Sequence, residues 1–259
     1  MKIEALTLTW NGLDKLEKLR PTLLNNIKNF DFTWKIRDNG SKDETCNVIS
    51  KWDEVNLLSI DHNRDNFAKG VNSLVNFNDK DNSILLLLNN DVQFIDSDSI
   101  KRMIDLLDNA KIVGCKLLFN NTDQLQHAGV IFGKKYGNMP YHFRHFEKDD
   151  DNSSKNRYFQ AVTAACMLIR KQDFIKVGGM DENFNWAFDD IDLCLKLLGN
   201  KIAYCGKTKI FHEESSSLKK NPVNKLWLDK NVTYFKQKWF GKYKLDHENY
   251  LNNKNYNLV

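Results

Sequence analysis

The sequence predicts an α/β fold: a mostly parallel sheet with helices on both faces. Three observations carry this expectation. Strand-like and helix-like segments alternate through the first half of the chain, the run Ile84 to Leu88 is wholly apolar, and four strand ends are marked by polar clusters. Alternation is the rhythm of βαβ units. An uninterrupted apolar strand is one covered on both faces, and open α/β sheets bind ligands beyond the carboxyl ends of their strands.

The elements follow in order. "IEALTLTW" reads as the first strand, a polar-apolar helix runs to about Phe30, and "FTWKIRD" is the second strand. Ser41 and Glu44 have the spacing of a capping box for the next helix, with Asp43 favourable near its amino end. "VNLLSID" is the third strand, "FAKGVNSLVNF" a helix, and "SILLLLNN" the fourth strand. The polar punctuation is Thr9 and Asn11, then Asp38 with "NGS", then "DHNRDN", then Asn89, Asn90 and Asp91. Four clusters at four strand ends converge on one site.

The second half differs. "QHAGVIFG" and "AVTAACMLIR" read as strands, separated by the polar and aromatic stretch Lys134 to Tyr158, which reads as an exposed, mobile loop. "WAFDDIDLCLKLLGNK" has helical spacing and ends on Gly199. "PVNKLWLDKNVTYFKQKWFG" is a further helix, opening near Pro222 and closing at Gly241.

Composition narrows the function. With 259 residues, 41% of them hydrophobic, the chain suits one large domain or one domain with an appendage. Its five scattered cysteines form no C-x-x-C pair, so a reducing cytosol is expected and a zinc or disulfide framework is not. No leader-like or membrane-spanning window stands out. A net charge of +4 spread among many acids gives no nucleic-acid footprint. The dinucleotide fingerprint and the phosphate loop are both missing after the first strand.

A carboxylate that closes a buried strand between amides suits a hard divalent cation shared with substrate phosphates. Asp91 is that candidate, although a turn capped by Asn and Asp explains the same residues. Asp189, Asp190 and Asp192 crowd the first turn of a helix. Asp189 and Asp192 lie about 60° apart around it, with Asp190 elsewhere. The helix dipole accounts for one or two such acids, and three beside Trp186 and Phe188 leave room for a catalytic carboxylate. His212 reads as a metal ligand or as a core histidine. His142 and His145 lack a third ligand for zinc.

Taken in order, "LTLTWNG", "RDNGSKDET", "NRDNFAKGVN", "LLLLNNDV", "QHAGVIFG", "AACMLIRKQDFIKVGGMDENF", "FDDIDLCLKLLGNKIAYC" and "IFHEES" resemble the family 2 glycosyltransferases of GT-A fold, in particular bacterial enzymes of surface polysaccharides. The resemblance covers roughly residues 3 to 240. It implies inverting transfer of a sugar from a nucleoside-diphosphate donor to a hydroxyl of a glycan or lipid-linked glycan, with Mn²⁺ or Mg²⁺. By the same resemblance Thr9, Asn11, Asp38, Arg64, Lys69, Asn89 and Asn90 contact the nucleotide sugar, and Asp91 and His212 hold the metal. Asp190 is the base, with Trp186 and Asp189 at the donor or acceptor sugar.

Two departures from the family pattern stand out: Asn89 replaces the first acid of the D-x-D motif, and no glycine follows Asn66. The implied organisation is one GT-A catalytic domain over 1–220, with a nucleotide half to about 115, a smaller mixed acceptor-side half from 116, and a helical extension over 221–259. That extension mixes Trp227, Tyr234, Phe235, Trp239, Phe240 and Tyr243 with lysines. The mix could suit an anionic membrane at the inner face of the cytoplasmic membrane, but packing on the main domain, with lysines toward water, is the favoured reading. Two further readings of the chain are an inert carbohydrate-binding or scaffold protein on the same fold and a sugar-nucleotide pyrophosphorylase. The latter would want a glycine-rich, basic loop where "TWNGLDKLEK" offers only Gly12.

Overall fold

The alternating pattern is realised as β1 (Lys2–Thr9), α1 (Leu13–Ile27), β2 (Asp31–Asn39), α2 (Thr45–Ile49), β3 (Val55–Ile60), α3 (Phe67–Ser73) and β4 (Ile84–Leu88). A computed structural model describes residues 1–62, 65–79, 81–185, 187–213 and 223–259, the side chains of 136, 223–225 and 227 excepted. Then come β5 (Val92–Phe94), α4 (Ser99–Leu107), β6 (Ile112–Phe119), β7 (Leu125–His127), β8 (Val130–Phe132), β9 (Pro140–His142), β10 (Arg157–Phe159) and β11 (Cys166–Arg170). The chain continues through α5 (Lys171–Lys176), α6 (Asp189–Lys196), β12 (Ile202–His212), α7 (Val223–Trp239) and α8 (His247–Asn252).

Eight strands lie in the order β10-β12-β6-β11-β4-β1-β2-β3, with β5 added to β12 and β7 to β6. β1 to β4 are mutually parallel. β11 runs against both β4 and β6, and β12 is parallel to β6. The expected mostly parallel sheet is present, and β11 is its one reversed member between β4 and β6. Residues 160–165 arrive at the carboxyl end of β4, so the strand that follows must enter the sheet from that end.

β4 has every residue buried. Leu85 and Leu87 belong to one core cluster and Ile84, Leu86 and Leu88 to the other. Each such side chain contributes roughly 1.5–3 kcal/mol when fully buried. Two apolar faces leave a polar ligand site only one place along this strand, its end.

Three local expectations are corrected. The Ser41–Glu44 capping box does not form. Glu44 occupies the N-cap position of α2 without a side-chain cap bond, and Ser41 instead donates its hydroxyl to Asp38 Oδ2 at 2.5 Å. The Lys134 to Tyr158 stretch is not exposed throughout, because Asp149, Ser153 and Ser154 are tied inward and β9 and β10 fall within it. Fully buried Lys116 donates to Asp149 Oδ1 (2.7 Å) and to Ser154 Oγ (2.8 Å), and Tyr204 donates to the Ser153 carbonyl (2.8 Å). "QHAGVIFG" is two strands and not one, broken at Gly129 (φ 106°), where a Cβ would strike the Phe159 ring. The 112–119 run, which carries no polar alternation, forms β6, the eight-residue partner of both β11 and β12.

The carboxyl-terminal residues pack into the main core. Phe235 is fully buried and stacks on Phe188 with centroids 5.0 Å apart. Tyr243 and Tyr250 join the same cluster. Leu226 and Leu228 remain exposed on α7, as does Phe240 just past its end.

Candidate active site at the carboxyl ends of the strands

Strand register assembles the first part of the site. Thr9 pairs with Asp38 across β1 and β2, and the β1–β4 ladder brings Asn90 beside Thr9, to whose Oγ1 its amide donates at 3.1 Å. Gly12 is required here, since a Cβ would sit 2.6 Å from Asn90 Nδ2 and 2.7 Å from Thr9 Oγ1. Asp38 is buried and accepts from the Gly40 and Ser41 amides at 3.1 and 3.0 Å. Asn11, in the left-handed region (φ 46°), donates its amide to Ser41 Oγ (2.7 Å), and its Oδ1 accepts from Lys42 (2.7 Å). Thr9, Asn11, Asp38 and Asn90 therefore form one rigid rim.

The second part is made by β5, which returns antiparallel to β12 and pairs Val92 with His212. His212 Nε2 thereby lies 3.2 Å from Asp91 Oδ1 and 3.2 Å from Asn89 Nδ2. Its Nδ1 lies 2.5 Å from Gln126 Oε1. An amide oxygen only accepts, so Nδ1 carries a hydrogen, and in the neutral imidazole Nε2 presents its lone pair. Asp91 Oδ1 is buried and has no hydrogen-bond partner. Two acceptor atoms face each other, and an orphaned buried oxygen is costly. A hard cation with oxygen and imidazole ligands fits this pair. Lys15, in the first turn of α1, lies 3.8 Å from the other oxygen of Asp91.

The third part is α6. Phe188 and Ala187 both sit at positive φ, 70° and 63°, a strained entry of a kind concentrated at functional sites. Asp190 Oδ2 accepts from the Ala164 amide (3.2 Å), and its Oδ1 from Ile191 (2.8 Å). The adjacent Ala165 carbonyl accepts from the Asn89 amide at 3.0 Å. Neighbouring residues 164 and 165 thus join the tandem acids to the end of β4. Burial raises the Asp190 carboxyl above its ordinary range, against the hydrogen bonds from Thr163, Ala164 and Ile191. Burial, reinforced by the charge of Asp190, raises Asp189 as well.

Asp192 has a structural job. It is fully buried, and its Oδ1 accepts from Trp239 Nε1 and Lys238 Nζ, both at 2.7 Å. Lys238 also reaches Asp181 (2.5 Å), and Asn231 Nδ2 donates to the Ala187 carbonyl (3.2 Å). α7 therefore clamps the strained entry to α6 from behind.

A family model described as "Glycosyltransferase like family 2" matches residues 14–244. The chain belongs to this glycosyltransferase-like family 2. One relative of this family 2 chain is an uncharacterised protein, y4gI, of Sinorhizobium fredii, 32% identical over 60% of this chain and 18% of its own length. Another is an O-antigen biosynthesis protein, RfbC, of Myxococcus xanthus, 26% identical over 73% of this chain and 15% of its own. The chain thus spans less than a fifth of either relative. Among solved structures, a mannosyltransferase from Pyrobaculum calidifontis in complex with GDP-Man and Mn²⁺ superposes with a TM-score of 0.64 at 11% identity, covering 94% of this chain and 65% of that one. The shared fold is GT-A.

Of the residues the family 2 resemblance singles out, Thr9, Asn11, Asp38, Asn89, Asn90, Asp91, Asp189, Asp190 and His212 line this one end of the sheet. Lys69 pairs with Asp65 at 2.7 Å, and Asp65 also receives Arg37 from β2, next to Asp38. Arg64 and Trp186 lie outside the described residues. Sequence reasoning missed Lys15 and Gln126. Lys15 follows Gly12 by three positions, on the first turn of the helix that leaves the first strand end, and that placement was a usable signal. An acidic group of Glu4, Asp79 and Asp81 lies toward the amino end of β1. Its oxygens surround Lys171 Nζ, at 2.9 Å from Glu4 and 2.7 Å from Asp79, so a lysine already serves as its cation.

Proposed function

We propose that this chain is an inverting glycosyltransferase that moves a sugar from a nucleoside-diphosphate donor to a hydroxyl of a glycan or lipid-linked glycan acceptor. The observation that carries it is the bridge through Ala164 and Ala165, which holds the Asp190 carboxylate beside the Asn89–Asp91 strand end. A base and a leaving-group site on one rim are what a single displacement requires.

In this reading Thr9, Asn11, Asp38, Asn89 and Asn90 bind and orient the nucleotide, with Lys69 and Arg64 toward its phosphates or base. Asp190 accepts the proton of the acceptor hydroxyl while that oxygen bonds to the anomeric carbon. The bond from that carbon to the diphosphate breaks with its electron pair leaving on the diphosphate, and the configuration inverts. A carboxylate raised by burial is the stronger base. Asp189, whose carboxyl is raised by burial and by the charge of Asp190, contacts the donor or acceptor sugar together with Trp186. Asp91 and His212 would hold Mn²⁺ or Mg²⁺, which supplies charge neutralisation for the departing diphosphate. Lys15 adds a second positive charge on that side.

The reading extends to organisation. Residues to about 115 form the nucleotide half and 116–220 the acceptor half, with α7 and α8 closing over the latter. The O-antigen relative supports a role in surface polysaccharide biosynthesis, at the cytoplasmic face where lipid-linked acceptors are built. No helix among the described residues is long and apolar enough to cross a membrane; the exposed Phe240, Leu226 and Leu228 with the α7 lysines are the surface for peripheral contact. The test is a panel of nucleoside-diphosphate sugars with Mn²⁺ and glycan acceptors, scored for released nucleoside diphosphate and glycosylated product. Donor-stimulated product in one pairing supports the assignment, whereas nucleotide binding without any transfer across the panel favours an inert carbohydrate-binding protein.

A further inference from the structure

We infer that Gln126 is a positioning residue that locks His212 in the tautomer whose Nε2 lone pair faces Asp91, so that the short strand β7 serves the metal side of the site. This rests on the metal assignment made under the proposed function, and it gives the "QHAG" segment a role that the nucleotide, base and leaving-group assignments do not use.

Backbone geometry comes first. In the β6–β7 ladder Leu117 pairs with His127 and Leu118 with Leu125, with a register shift between them. Gln126 is therefore the inserted residue of a β-bulge, the device by which a strand re-aims a side chain and which is over-represented next to active sites. β6 is in turn parallel to β12, pairing Phe119 with His212, so the bulge opens toward the end of β12.

Side-chain geometry fixes the direction of the hydrogen bond. Gln126 is buried, at 5% exposure, and its Nε2 points to the His212 carbonyl at 3.5 Å, while its Oε1 lies 2.5 Å from His212 Nδ1. The opposite amide orientation would set oxygen against the carbonyl oxygen, so the oxygen belongs on the imidazole. Nδ1–H then donates to Gln126, and in the neutral imidazole Nε2 presents its lone pair. An independent contact agrees: Asn89 Nδ2, a donor, approaches Nε2 at 3.2 Å. The same nitrogen lies 3.2 Å from Asp91 Oδ1, an orphaned acceptor, so the lone pair and the carboxylate oxygen are the two atoms a cation would join. The Gln126 carbonyl is also held, accepting from His145 Nδ1 at 2.7 Å, which leaves the strand little freedom to swing away. An imidazole whose far nitrogen is tied in this way is oriented and made more basic toward a metal, and loss of such a partner costs about 10- to 100-fold in metal affinity.

The experiment uses the full chain without donor or acceptor, so its outcome does not depend on glycosyl transfer. Imidazole ¹⁵N shifts report the His212 tautomer in the metal-free protein, and Mn²⁺ titration calorimetry reports affinity, for wild type, Gln126→Met and Gln126→Glu. Met matches the volume and removes the acceptor; Glu restores an acceptor oxygen. The expected result is a hydrogen on Nδ1 in wild type and Gln126→Glu, a shift toward the Nε2–H form in Gln126→Met, and about 10- to 100-fold weaker Mn²⁺ binding in Gln126→Met alone. A wild-type His212 protonated on Nε2, or a Gln126→Met variant with unchanged tautomer and Mn²⁺ affinity, overturns the inference. The correct tautomer with no Mn²⁺ uptake in any form supports the Gln126 contact and removes the metal from the proposed function.

Discussion

Replacing Asp190 with Asn is the perturbation that bears most directly on mechanism. Both carboxylate oxygens accept backbone N–H bonds, from Ala164 at 3.2 Å and from Ile191 at 2.8 Å. An amide keeps one of these bonds and turns an NH₂ toward the other donor, so the fold loses about 1–3 kcal/mol. The loss to catalysis is larger. A positioned base contributes about 10² to 10⁴ in rate, or roughly 3–5 kcal/mol of barrier, and an amide cannot accept the hydroxyl proton. We expect Asp190→Asn to release nucleoside diphosphate at least about a hundredfold more slowly in an acceptor-dependent assay, while calorimetric affinity for the nucleotide stays near wild type. The wild-type pH profile adds a second readout. Burial raises the Asp190 carboxyl, and the base works only when ionised, so turnover should fall on acidification through a pH above the ordinary carboxylate range. That limb belongs to the Asp190 carboxyl, so Asp189→Asn should leave it in place. Acceptor-dependent turnover by Asp190→Asn within about threefold of wild type would refute Asp190 as the base.

Three further outcomes are expected. Asp91→Ala should abolish the Mn²⁺ dependence of donor binding, compared by calorimetry with and without the ion, and leave metal-free nucleotide binding in place. Lys15→Met removes a cation 3.8 Å from Asp91 Oδ2; Mn²⁺ should then bind the donor-free protein more tightly, by about 0.2–1 kcal/mol, although release of the diphosphate slows. Asp189 has a folded-state pKa raised above its unfolded value, so the folded state holds its proton longer than the unfolded chain and stability falls as pH rises from the ordinary carboxylate range upward. Asp189→Asn should flatten that decline in urea denaturation followed from pH 5 to pH 8, leaving the variant more stable than wild type at the alkaline end.

Much of the site was legible because strand ends are a one-dimensional signal. Thr9, Asp38 and Asn90 could be placed together from the sequence since each closes an apolar segment of a parallel sheet, and parallel register brings such ends to one edge. The central strand was equally plain, five apolar residues shared between two cores. Local rules failed where tertiary partners outbid them. Ser41 has capping-box spacing yet is taken by Asp38 and Asn11, because a buried carboxylate needs its hydroxyl more than an exposed helix end does. Asp149, in the acidic 147–151 run, looked solvated because its partners, Lys116 and Lys209, lie some thirty to sixty residues away in sequence.

The metal side of the site shows why topology had to be seen. Asp91 and His212 are far apart in sequence, and no periodicity links them. What links them is β5, three residues long, which turns back from Asp91 and pairs antiparallel with the end of β12. A three-residue strand carries almost no pattern of its own. Its position follows from β11: by entering the sheet reversed beside β4, β11 leaves room for β6 and then β12 to run parallel to β1–β4, which delivers His212 at the same edge as Asp91. The reversal that departs from a purely parallel sheet is thus the feature that brings these residues to one edge, and it also places Ala164 and Ala165, just ahead of β11, between Asn89 at the end of β4 and Asp190.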